Sequence, residues 1–244
     1  MKPNYVMLFP LALTALATVN SAGAAVALDR TRVIVDGGAA ATTLNIRNDS
    51  KDTPYLAQGW IEDDAGKKVQ SPLLVVPPLQ RMEPDSRGQL KVQSLPAVSS
   101  LPQDRESLYY FNLREVPPKS DKPNTMQLAL QTRVKLFYRP QGLAIDHNAP
   151  PPQLKLTLKK SGDGYVAVNP TPYYITLVGA GKSNDHNIDG FEPVMLAPKS
   201  EQPLKLSVAR VGNAPVLTYI NDYGGRPKLK FTCQGAQCTA QEVK

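Results

Sequence analysis

Between Thr125 and Arg139 the chain reads TMQLALQTRVKLFYR, with apolar side chains on alternate positions. Met126, Leu128, Leu130, Val134, Leu136 and Tyr138 take the even positions, where only Thr132 is polar. Gln127, Ala129, Gln131, Arg133, Lys135, Phe137 and Arg139 take the odd ones. A period of two predicts a β-strand over the whole stretch. Strands usually run about five or six residues, and this alternation lasts roughly twice as long, more than one small β domain needs for its own core. Two readings follow: a long strand of the chain's own sandwich, or an edge strand that serves another chain in part. Natural edges are blunted by charge, proline or bulges, yet only Gln127 and Ala129 separate Met126, Leu128 and Leu130.

The rest of the chain points to an all-β protein. Proline makes up 23 of 244 residues, nearly twice its usual share of about 5%, and no long window shows helical spacing. A hydrophobic content of 41% is ample for one large domain or two small ones. The opening MKPNYVMLFPLALTALATVNSAGA carries one charge, Lys2, then an apolar run from Val6 to Val19 and a small-x-small end at Ala22, Gly23 and Ala24. That is the layout of a secretory signal, residues 1–24, with cleavage expected after Ala24. The alternative, a retained anchor, suits neither the short run nor Pro10. Losing Lys2 changes the formal charge from +7 to +6, a balance too diffuse to argue for nucleic acid. Cys233 and Cys238 are the only cysteines. In an exported chain they are expected to pair across a tight turn, the alternatives being free thiols or, less well supported, half of a zinc site.

Taken in order, AVALDRTRVIVDG and ATTLNIRND alternate and stop at turn residues, and PYLAQGWIEDDAGKK ends in a polar hairpin turn. SPLLVVPPLQRMEPDSRGQLKVQSL gives two interrupted strands, and SLYYFNLREV ends at Pro117 and Pro118. About seven strands at such spacing, with no helix, describe an immunoglobulin-like sandwich over residues 25–141. The proline-rich PQGLAIDHNAPPP supplies a linker at 142–149. QLKLTLKK, YVAVN, YYITLV, EPVMLAP, EQPLKLSV, VLTYIND and KLKFTC repeat the β theme over 150–244.

Chemistry-bearing motifs are few. Gly179, Gly181, Lys182 and Ser183 mimic the end of a phosphate loop, but Thr176 stands where its first glycine belongs. His147 and His186 lie in polar segments without partners at ligand spacing, and no nucleophile-base signature appears, so the chain is not read as an enzyme. What stands out is charge on strands built for burial: Arg30, Arg32, Glu106, Lys135, Arg139 and Asp222. These are solvated strand faces, or, for the cations, a grip on a carboxylate through charge-assisted bonds.

LYYFNLREVPPKS followed by LALQTRVKLFYRP, with LDRTRVIVDG and PYLAQGWIE before them and NPTPYYITL and YINDYGGRP after, closely resembles the PapD-like periplasmic chaperones of pilus assembly. The likeness spans essentially the whole chain after Ala24. It implies two immunoglobulin-like domains set as a boomerang around a cleft. It places Arg32 and Lys135 at the anchor for a pilus subunit's C-terminal carboxylate. Met126, Leu128 and Leu130 correspond to the residues that fill the subunit's groove, and Glu106, Arg139 and Asp222 to an interdomain ion network. The short connection PPKSDKPN and the Cys233 and Cys238 pair resemble the short-loop subgroup.

The resemblance further implies a periplasmic chaperone that completes an unfinished pilin by β-augmentation and delivers it to the outer-membrane usher. Release follows when another subunit's extension replaces the strand. Neither a cofactor nor a nucleotide is expected, and an uncapped strand implies self-association of the free chain. The alternative is a secreted immunoglobulin-like binding module or fimbrial component, whose long strand simply completes its own sheet. One tension stands in the parity: the groove-filling residues are even and Lys135 is odd. A flat strand sends them to opposite faces, so a twist or bulge reconciles them, or the two contacts use different sides.

Overall fold

The computed structural model describes residues 24–146, 148–183 and 186–243. The signal segment, apart from Ala24, and His147 therefore lie outside the described residues. The first unit comprises β1 (Val26–Leu28), β2 (Arg32–Asp36), β3 (Ala41–Asn48), β4 (Tyr55–Glu62), β5 (Lys68–Val69), β6 (Leu73–Val76), β7 (Leu79–Met82), β8 (Arg87–Ser94), β9 (Ser107–Val116) and β10 (Gln131–Arg139). One sheet runs β1-β3-β8-β6 and the other β2-β10-β9-β4-β5, with β7 on β4. Their facing sides meet in a core that includes Val33, Leu44, Ile46, Phe111, Leu113 and Leu136. This is an immunoglobulin-like sandwich.

AVALDRTRVIVDG forms two strands rather than one, because its two halves have opposite parity. Val26 is buried and Leu28 packs on the core, both even, whereas Val33 and Val35 are buried and odd. No straight strand turns both sets inward. The chain therefore breaks at Asp29–Thr31 and changes sheets, β1 pairing β3 and β2 pairing β10.

The expected strand from Thr125 begins six residues late. Pairing starts where the Glu115 amide donates to the Leu130 carbonyl at 3.0 Å, and Gln131 opposite Arg114 is the first strand pair. Upstream, β9 has ended and Pro117 and Pro118 offer no N–H donor, so among the described residues Thr125–Ala129 has no strand to pair with, and the Gln127 side chain ties it back to Pro118 and Ser120. Met126, Leu128 and Leu130 consequently stand 85%, 70% and 45% exposed.

The second unit comprises β11 (Thr157–Ser161), β12 (Gly164–Asn169), β13 (Ile175–Gly181), β14 (Val194–Leu196), β15 (Ser200–Ser207), the one-turn helix α1 (Val208–Val211), β16 (Val216–Ile220), β17 (Lys228–Gln234) and β18 (Gln237–Glu242). They form one sheet, β14-β13-β16-β17-β18-β11-β12-β15, folded around Leu156, Tyr165, Leu177, Leu217 and Phe231. Strand β18 and helix α1 are absent from the sequence reading. The strand is mostly polar, with Cys238 its one fully buried side chain. A disulfide joins Cys233 to Cys238, cross-strand partners in the β17–β18 hairpin. Gly179 and Gly181 sit within β13, so the phosphate-loop look-alike is strand, and His186 is exposed.

A cationic cleft beside a half-covered strand

Strand β10 has two faces with different work. Val134, Leu136 and Tyr138 turn into the core, and Lys135, Phe137 and Arg139 lie on the other side, where Phe137 meets Tyr174 and Arg139 meets Asp222 of the second unit. Its pairing with β9 is continuous from Gln131 to Tyr138, with no bulge. Within β10 the even side chains face the core and Lys135 lies on the opposite side, while Met126, Leu128 and Leu130 stand outside the paired strand.

Strand β2 runs parallel to β10, with Arg32 opposite Lys135 and Asp36 opposite Arg139. Direct neighbours in register share a face, so Arg32 and Lys135 stand side by side at the first rung. The far end closes tightly at Gly37, whose amide donates to the Arg139 carbonyl at 2.7 Å. A Cβ there would lie 2.9 Å from that same oxygen.

Arg32 is only 7% exposed, and its Nη1 donates to the Ile220 carbonyl at 3.2 Å, while its buried Nε has no hydrogen-bond partner among the described residues. Burial pulls its pKa down, partly offset by the charges of Asp222 and Glu106. Lys135 is half-buried, and burial, reinforced by the Arg32 charge, lowers its pKa as well. Glu62, two strands away across Tyr110, is engaged by Arg133 Nε at 3.0 Å and Trp60 Nε1 at 2.8 Å. Among the described residues no carboxylate pairs with Lys135. Two adjacent cations, both partly desolvated and one with a buried donor left over, are the arrangement in which a charge-assisted bond to an anion gains most.

Next to them, Arg139 is tied to both units. Its Nη2 lies 2.8 Å from Glu106 Oε1, and its Nη1 lies 2.8 Å from Asp222 Oδ2. Burial opposes its charge, but Asp222 and Glu106 outweigh that and hold its pKa up. Glu106, 3% exposed, also accepts the Tyr174 amide at 2.8 Å, and its own amide donates to the Pro172 carbonyl at 2.9 Å. Burial pushes its carboxyl upward against the pull of Arg139. Tyr173 lies under the Arg139 guanidinium at 5.1 Å and donates to the Leu143 carbonyl, and Tyr174 packs on Phe137 at 5.4 Å between ring centres. The Asn221–Gly225 turn brings Asp222 into place: Gly224, at φ +82°, lies so close to Thr31 that a Cβ would meet its Oγ1 at 2.6 Å.

A cleft of about 580 Å³ opens here, walled by Arg30, Arg32, Ile34, Arg139, Ile145 and Asp222 among others. Arg30 stands on its rim, paired with Asp29 at 2.7 Å. Tyr173, Tyr174 and the Ile220 carbonyl were not singled out individually from sequence, and the motifs NPTPYYITL and YINDYGGRP were the only pointers to them.

Two immunoglobulin-like units with a charged cleft between them and a strand whose edge is only half covered are the features set beside known proteins. Residues 25–144 match the family described as pili and flagellar-assembly chaperone, PapD N-terminal domain. Residues 150–231 match pili assembly chaperone PapD, C-terminal domain. Over 236 residues the chain is 48% identical to the chaperone protein PapD of Escherichia coli, covering 96% of this chain and 97% of that one. It is 42% identical over 235 residues to the chaperone protein PmfD of Proteus mirabilis, covering 95% and 92%. The SafB chaperone of Salmonella enterica, solved in complex with the SafA pilin, superposes with a TM-score of 0.66 at 26% identity, covering 90% of this chain and 97% of that one. The chain belongs to the PapD-like family of pilus-assembly chaperones.

Proposed function

We propose that this chaperone works in the periplasm, completing a pilus subunit by adding its own strand to it and presenting the complex to the outer-membrane usher. The observation that carries this reading is the half-covered edge of β10. Strand β2 covers that edge from Lys135 onward and stops at Arg32, leaving the upstream edge open. A guest strand laid in line with β2 ends where β2 begins. It also runs parallel to β10, as β2 does, so its terminal carboxylate meets Arg32 and Lys135 and supplies the charge they lack. Backbone pairing then gives affinity, and alternate side chains give specificity.

In this arrangement Arg32 and Lys135 anchor the carboxylate, and Met126, Leu128 and Leu130 fill the subunit's apolar groove. Glu106, Arg139 and Asp222 fix the two units around the cleft. The mature chain starts at Ala25 after removal of residues 1–24. Its first domain ends at residue 141, a linker covers 142–149 and the second domain covers 150–244. The short segment PPKSDKPN supports grouping the protein with the short-loop chaperones, and the open edge makes the free protein prone to self-association. The rival reading, in which the long strand only completes its own sheet, conflicts with the exposure of Met126, Leu128 and Leu130.

The test is co-expression of the mature chain with a pilin in the periplasm. Wild-type chaperone is expected to co-purify with the pilin one to one. Lys135→Ala and Arg32→Ala should fold and carry no pilin, because a subunit carboxylate left unpaired in the cleft costs about 3–5 kcal/mol. Normal capture by either variant overturns the assignment.

A further inference from the structure

The chain's own N-terminal segment leaves the upstream edge of β10 uncovered, because β1 pairs with β3 and β2 joins β10 only from Arg32. Extending the β2–β10 register backward from Arg32 opposite Lys135 sets Thr31 opposite Val134, Leu28 opposite Gln131, Ala27 opposite Leu130 and Ala25 opposite Leu128. A straight first strand would cover the stretch the subunit needs. Instead the segment crosses to the other sheet, where Val26, Ala27 and Leu28 pair with Asn48, Arg47 and Ile46.

One side chain clasps it there from the opposite sheet. Glu115 is 6% exposed, on the core face of β9, and its Oε2 accepts the Val26 amide at 2.8 Å. Its own amide donates to the Leu130 carbonyl, so the same residue marks where β10 starts and where the N-terminal strand is held. A buried carboxylate aimed at a backbone N–H at the mouth of a hydrophobic core is an unusual placement, and the anchor and ion network leave it unused.

We propose that Glu115 is a positioning residue for subunit capture: it holds Val26–Leu28 in the opposite sheet and keeps the N-terminal segment, a built-in competitor, off the free edge of β10. This rests on the reading that a subunit adds at that edge.

The test measures pilin affinity and thermal unfolding of the purified mature chaperone, with wild type as positive control and Lys135→Ala as negative control. A wild type that captures no pilin sinks the edge reading itself; the remaining arms bear on Glu115 alone. Glu115→Gln keeps an acceptor for Val26 and is expected to bind as wild type. Glu115→Ala frees the segment, and if the edge is then open in one molecule in ten, apparent affinity falls about tenfold. A disulfide across the facing pair Ala27→Cys and Arg47→Cys, which ties β1 to β3, should restore affinity to Glu115→Ala when oxidised and release it on reduction. Unchanged affinity in Glu115→Ala, or a loss that the tether does not repair, overturns the proposal. The same tether in the wild-type background decides the matter even if Glu115→Ala does not fold. Full capture by the oxidised form is expected, and loss of capture, meaning that β1 must leave its sheet for binding, overturns it.

Discussion

Truncating Leu128 to alanine separates a side chain made for a partner from one made for the chaperone's own core. Leu128 is 70% exposed in the free chain. Fully burying a leucine contributes about 1.5–3 kcal/mol; scaled by that exposure, roughly 1–2 kcal/mol is still to be gained on binding. At tenfold per about 1.4 kcal/mol, Leu128→Ala should weaken pilin binding by about 6-fold to 30-fold. The free variant's melting temperature should stay within about a degree, since the side chain supports none of the chaperone's own core. The same scaling orders the row by exposure, with Met126 at 85% losing most and Leu130 at 45% losing least. Val134, which packs on the core, serves as the contrasting site: Val134→Ala should lower stability more than affinity. Equilibrium capture of a pilin by each purified variant, beside thermal melts of the free proteins, measures both quantities. The reasoning fails if Leu128→Ala binds as wild type, or if it melts several degrees lower while Val134→Ala does not.

Subunit binding should weaken as pH rises through the alkaline range below 10.5. Burial and Arg32 lower the pKa of Lys135 in the free protein, so the cation that pairs with the carboxylate is lost earlier than in an unfolded chain. The sign is opposite for the free chaperone, whose folded state binds the fewer protons at Lys135, so this residue's contribution to stability grows with pH over the same window; pilin titrations and melts at matched pH check both. Arg139→Met leaves Glu106, 3% exposed, as an unpaired buried carboxylate, and should cost about 3–5 kcal/mol with loosened contact between the two units, read by chemical denaturation. Cys233→Ser should cost about 2 kcal/mol, the value for so short a loop, in the unfolding of the second unit.

Much of this was legible in the sequence because it is carried by alternation and by turn residues. The strand TRVKLFYR was clear because its even side chains are those of a core face and its odd ones are mostly charged. The length of that strand was not, since alternation records which side chains want burial and not whether a neighbour is present to pair with them. Thr125–Ala129 has the pattern and, among the described residues, lacks a strand to pair with, because Pro117 and Pro118 end β9. In AVALDRTRVIVDG the apolar positions shift from even to odd, and that shift signals a change of sheet. The polar β18 gave no pattern at all, and Cys238 is its only fully buried side chain. For the cleft, the charged types were visible and their meeting was not: Glu106, Arg139 and Asp222 lie 33 and 83 residues apart in pairs, and only the fold brings them within 3 Å.

If a subunit adds as proposed, the apolar row and the cationic pair would discriminate between different errors of register, which would give one strand a reason to carry both. A guest slipped by one residue meets Gln127 and Ala129 where it needs Leu128 and Leu130, and loses the burial of the whole row. A guest slipped by two keeps parity and still finds two of the three apolar side chains, so the row alone hardly resists it. That slip moves the terminal carboxylate by about 6.6 Å along the strand. At an effective dielectric of about 20, a carboxylate 4 Å from one cation interacts by about 4 kcal/mol, and at roughly 11 Å by about 1.5 kcal/mol. With Arg32 and Lys135 on the same rung, both interactions weaken together. On the proposed reading the row fixes which face of a subunit is filled, and the cationic pair fixes how far along the strand it sits. A pilin whose tail is two residues longer or shorter should present the same groove and still be captured poorly.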